Sequence, residues 1–131
     1  MNKTKYLVMV SSIGVFLLLA AAAVSENFMK DWHGIQGNAK TTEGPIDLRL
    51  RQIVNPQLKV TDRCVTCHVG MASGEQITTD QKVGAAHKPV VHSPTEIGCT
   101  TCHGGQGQAT EKDDAHGNVH FWTEPMLPAK Y

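Results

Sequence analysis

The sequence predicts a mostly α-helical chain with irregular loops. One N-terminal membrane-spanning helix is followed by a small domain built around prosthetic groups. Three observations predict this. An uncharged run extends from residue 6 to residue 25. Two C-x-x-C-H pentads, Cys64 to His68 and Cys99 to His103, use all four cysteines. The rest of the chain is poor in large apolar side chains, with an aromatic set limited to Phe28, Trp32, Phe121, Trp122 and Tyr131. So thin a set builds a thin core, which covalently held apolar groups would complete.

As a helix, the uncharged run is about 30 Å long, the thickness of a bilayer core. Lys3 and Lys5 precede it and Glu26 and Asp31 follow it. The positive-inside rule then keeps the N-terminus cytoplasmic and exports the remainder. The expectation is a single-pass anchor over residues 1–25 in the cell inner membrane, in contact with lipid, with the domain on the periplasmic side. A cleaved signal peptide is the alternative, because Ala21, Ala22 and Ala23 offer a small-residue cleavage site.

Residues 26–45 read as a juxtamembrane helix and linker. Phe28, Trp32 and Ile35 share one helical face, and Trp32 lies where an interfacial aromatic belt is expected. The stretch from Thr41 to Pro45 ends that helix. Residues 46–131 form the domain. Ile46, Leu48 and Leu50 alternate with Asp47, Arg49 and Arg51, the period of a short extended segment. Asn55-Pro56 breaks it. Asp62 is placed to cap a helix carrying the first pentad, and Arg63 either pairs with an anionic group of the cofactor or is solvated. Between the pentads, Gly70, Gly74, Gly84, Pro89 and Pro94 oppose long regular structure. Gly104-Gly105-Gln106-Gly107 makes a backbone-permissive turn, and Pro125 and Pro128 make the tail extended.

C-x-x-C-H is the attachment signature of a c-type haem. Cys64 and Cys67, and likewise Cys99 and Cys102, are spaced to bond both vinyl groups on one porphyrin edge. His68 and His103 follow as proximal iron ligands. The alternatives are one all-thiolate zinc site, redox dithiols or disulfides. A histidine after each pair, export, and the lack of a thioredoxin-like strand–turn–helix context favour two covalently attached haem c groups. The domain is then a small dihaem cytochrome c domain organised around the haems.

Each iron needs a sixth ligand or keeps an open position. His33, His87, His92, His116 and His120 remain. His33 reads as a headgroup-level or solvated residue. His92 and His116 are the expected distal ligands, with His87 and His120 as substitutes. Met126 is the thioether candidate, but packing in a Pro-flanked tail is its favoured role.

Arg51-Gln52-Ile53 followed by Asp62 to His68 resembles the entry to the first haem in a group of bacterial membrane-anchored multihaem cytochromes c. His92-Ser93-Pro94 with Gly98 to Gly107 resembles a later haem of that group. Ala115-His116-Gly117 and Trp122 to Leu127 resemble the segments after it. The resemblance spans roughly residues 28–128. Members often accompany quinol-oxidising, bc-type respiratory complexes and usually carry more haems than two pentads can bind. The resemblance implies His92 and His116 as ligands. It also implies a membrane electron-transfer complex and other cytochromes as partners.

The expected function is electron transfer in a respiratory or photosynthetic chain, not catalysis. Zero formal net charge provides no field for nucleic acid. The rival readings are a haem enzyme or sensor with an open axial position, and a structural subunit stapled by its haems.

Overall fold

The computed structural model describes residues 2–71, 77 and 81–127, with only the backbone of Gln81 and Lys82. Gly74 and Pro128, expected to break regular structure, and the aromatic Tyr131 lie outside the described residues. The chain divides into two compact units, Met1–Lys30 and Asp31–Tyr131.

The first unit is helix α1, Lys3–Phe28. It is apolar all round, and none of its residues is buried. A helix in water hides such a surface, so α1 is compatible with a single-pass anchor or a signal sequence. Glu26 and Lys30 form an i,i+4 ion pair of 3.0 Å at its end.

The second unit is short elements joined by long irregular stretches. Helix α2 is Asp31–Asn38. Strands β1 (Lys40–Thr41) and β2 (Gly44–Pro45) form one antiparallel hairpin, and β3 (Ile53–Asn55) and β4 (Val60–Asp62) another. Five single-turn helices follow: α3 (Cys64–Cys67), α4 (Gln81–Gly84), α5 (Pro94–Ile97), α6 (Thr100–His103) and α7 (Lys112–Ala115). The mostly helical class with irregular loops holds, and the two hairpins are additions. Asn55-Pro56 turns the chain: Asn55 Oδ1 accepts from Leu58 N–H at 3.0 Å, so the break is a hairpin loop between β3 and β4.

The buried side chains are few and mixed. Among the described residues Trp32, Ala39, Ile53, Val65 and Val69 are the apolar ones, while Gln36, Asp62 and Thr66 are the largest that are fully buried. Buried polar groups must find partners, and these do. Gln36 Nε2 donates to the carbonyls of Thr66 (2.8 Å) and Arg49 (2.9 Å), and its Oε1 accepts from Arg49 N–H at 2.9 Å. Thr66 Oγ1 donates to the Arg51 carbonyl at 2.6 Å and accepts from Arg51 N–H at 2.9 Å. The alternating stretch 46–51 is thus bound through its backbone to α2 and to the first pentad, with Leu48 and Leu50 left exposed. Trp32, expected at a membrane interface, is buried within this unit and stacks on His33 with ring centres 3.7 Å apart.

Candidate haem-binding site

The first pentad is a single helical turn launched by β4. Arg63 precedes α3 as its cap residue, and its own side chain makes no capping hydrogen bond. Asp62, expected to do so, turns instead to the second pentad. Its Oδ2 accepts from Thr100 N–H at 2.8 Å, and its Oδ1 accepts from Thr100 Oγ1–H at 2.8 Å. The first N–H of α6 is thereby satisfied from outside its own segment. Arg63 N–H donates to the Gly107 carbonyl at 2.7 Å, and its Nη1 to the Gln108 carbonyl at 3.1 Å. Entry to the first pentad and exit from the second are therefore laced together.

The second pentad is framed by two glycines. Gly98 has φ 86 and ψ 160, and Gly104 has φ 68 and ψ −154. Both lie in a region that is essentially glycine-only. A Cβ at Gly98 would also run into Val60 and Asp62. Gly98→Ala is expected to lower the stability of the holoprotein by about 2–4 kcal/mol, read from its denaturant midpoint.

All four cysteines are free thiols. Cys99 donates a hydrogen bond to Cys64, which pushes the Cys64 thiol pKa down and the Cys99 thiol up. Burial pushes the Cys67 thiol up. Cys102 is exposed. The leading cysteines of the two pentads thus meet. Among the described residues no group of three or more His, Cys, Asp or Glu side chains is gathered to hold a metal ion. The thiols do not form the tetrahedral set of an all-cysteine zinc site.

Four of the seven histidines fall into two pairs. The rings of His68 and His116 have centres 6.2 Å apart, inclined at 46°. The rings of His103 and His87 have centres 6.2 Å apart, inclined at 67°. A metal–imidazole bond is about 2 Å and the ring centre lies about 1 Å further, so two rings across one metal sit roughly 6 Å apart. Both pairs have the ring separation that a shared iron requires. His87 Nδ1 donates to the Lys88 carbonyl at 2.6 Å. That bond directs its proton to Nδ1 and leaves the Nε2 lone pair for a metal, as in metal-ligating histidines generally.

Each expected ligand can now be placed. His116 lies opposite His68. His87, the expected substitute, lies opposite His103, while His92 is exposed and is not brought to either proximal histidine. His120 is exposed with its ring edge-on to Phe121. Met126 is tied through its backbone, its N–H donating to the His116 carbonyl at 2.9 Å. Leu127 N–H donates to the His103 carbonyl at 2.6 Å, so the tail laces histidines of both pairs. Phe121 is exposed, and Trp122 Nε1 donates to the Glu124 carbonyl at 2.8 Å.

The Asp62–Thr100 clamp, the Gln36 network and the tail lacing have no sequence signature. Their partners lie 38 residues away for the clamp, 13 and 30 for the Gln36 network, and 10 and 24 for the tail. Aspartate before the first pentad was a visible signal, but it pointed to the nearer helix.

Compared with known protein families, the chain matches the family described as "Cytochrome c554 and c-prime" over residues 25–104. Comparison with curated proteins and with solved structures gave no match. The matched stretch contains both pentads and more than half of the chain, so this chain belongs to the cytochrome c554 and c-prime family, as an electron-transfer cytochrome with covalently bound haem c.

Proposed function

We propose that the chain is a membrane-anchored dihaem cytochrome c with two six-coordinate irons, one held by His68 and His116 and the other by His103 and His87. The observation that carries this reading is the repeated 6.2 Å pairing of histidine rings, one pair beginning at each pentad. Cys64 and Cys67 hold one haem, and Cys99 and Cys102 the other. When bound, each haem supplies a one-electron Fe(III)/Fe(II) couple. Two imidazoles keep the coordination sphere full in both oxidation states, which suits electron transfer rather than ligand activation. The Cys64–Cys99 contact brings the two attachment points together, which shortens the route an electron takes through the domain. One electron arrives from a donor, which is oxidised. One leaves to an acceptor, which is reduced.

Helix α1 serves as the inner-membrane anchor, with the haem domain on the periplasmic side. Tethering limits the search for partners to the membrane plane. A respiratory or photosynthetic chain is the setting, and a quinol-oxidising complex of the bc type and other cytochromes are the proposed partners, on the resemblance of the pentad flanks. Protein solubilised from membranes in detergent is expected to show two haems per chain by pyridine haemochrome. Both are expected to be low-spin when ferric and unreactive to carbon monoxide when ferrous. A high-spin ferric haem or rapid carbon monoxide binding would replace this reading with a ligand-binding enzyme or sensor.

A further inference from the structure

Asp62 has a position that attachment and ligation do not explain. It is 1% exposed. It closes β4, two residues before Cys64, and both of its oxygens bond Thr100, the residue after Cys99. Its two oxygens act as acceptors, one from an N–H and one from an O–H. Among the described residues no Lys, Arg or His forms an ion pair with it. The wall around it is tight, since a Cβ on Gly98 or Gly107 would strike its carboxylate. Burying a charge costs free energy unless hydrogen bonds offset it. Among the described residues Thr100 supplies them, and a charge held there acts through a low-dielectric interior.

The charge also lies by both attachment points. Cys99 and Cys64 touch, and Asp62 stands two residues before Cys64 and bonds the residue after Cys99. Reduction of a ferric haem removes one positive charge, and a fixed negative charge nearby favours the oxidised state. Local charge, burial and hydrogen bonding are the levers by which a protein sets such a potential.

We propose that Asp62 is a shared electrostatic determinant: a buried carboxylate on the strand leading into the first pentad, hydrogen-bonded into the second, that holds the potentials of both haems down. This rests on the reading that both pentads carry haem, and that reading is checked separately by counting haem per chain in every variant. Two per chain sustains it whatever the potentials do, and fewer than two in the unaltered protein ends it.

The test is a spectropotentiometric titration of the full-length holoprotein. Asp62→Asn removes the charge and keeps a side chain of the same shape. Both midpoint potentials are expected to rise, with both haems still low-spin. Thr100→Val removes the hydroxyl donor and leaves the carboxylate less neutralised, so both midpoints are expected to fall. Damage to packing would move the two variants in the same direction, whereas the charge moves them in opposite directions. If Asp62→Asn does not accumulate with two haems, Thr100→Val decides alone, and a fall in both midpoints supports the proposal. Unchanged midpoints, shifts of the same sign, or a shift confined to one haem would overturn it.

Discussion

His116→Ala and His87→Ala are each expected to turn one of the two haems high-spin, while His92→Ala leaves both low-spin. Each alanine opens one axial position without touching a cysteine or a proximal histidine, so both haems stay covalently attached. The ferric spectrum should show one high-spin and one low-spin haem, and the ferrous form should bind carbon monoxide at one site per chain. The double variant should bind two. The His116 effect belongs to the haem of Cys64 and Cys67, and the His87 effect to that of Cys99 and Cys102, because the ring pairs are His68–His116 and His103–His87. A high-spin haem in His92→Ala, with His87→Ala unchanged, would return the second ligand to His92. Loss of a strong imidazole donor should also raise the potential of the affected haem, since axial ligand identity is the coarsest control on it.

Gln36→Ala is expected to produce the largest loss of stability available from one side chain outside the haem ligands. Gln36 is fully buried and makes three hydrogen bonds, to Thr66 and Arg49. Alanine leaves two carbonyls and one N–H without those partners and opens a cavity where the amide stood. Each buried group left unsatisfied costs about 1–3 kcal/mol, so a total of roughly 3–5 kcal/mol follows. The measurement is equilibrium unfolding of the holoprotein in guanidinium, followed by Soret circular dichroism. A change below about 1 kcal/mol would mean that the attached haems alone hold α2 and the 46–51 stretch in place. Gln36→Glu is the informative companion, since it keeps the volume but replaces the amide donor to two carbonyls.

The pentads were legible because attachment chemistry is local. Two thiols and one imidazole within five consecutive positions state their purpose without knowledge of any other residue. The apolar run was legible for a similar reason, since length and composition suffice. The pairing of the remaining histidines was not, because chain reach excludes none of the five. His87 and His92 are five positions apart, and the His92-Ser93-Pro94 flank pointed to His92. The His87 Nδ1–Lys88 carbonyl bond and the 6.2 Å approach of its ring to His103 point to His87.

Asp62 shows the same division. Its position before a helical turn is a capping signal, and it does cap a turn, but that of the other pentad. A cap needs only an acceptor close to an unsatisfied N–H, and the β3–β4 hairpin decides which N–H is close. The sequence by itself determined the two C-x-x-C-H pentads, the apolar helix and the scarcity of core-forming side chains. The tertiary structure alone decided which histidine faces which, how the first cysteines of the two pentads meet, and which buried polar groups stand in for an apolar core. These last are pairings between residues far apart in the chain, set by backbone hydrogen bonds and by the space left between short elements, and neither is written in residue type.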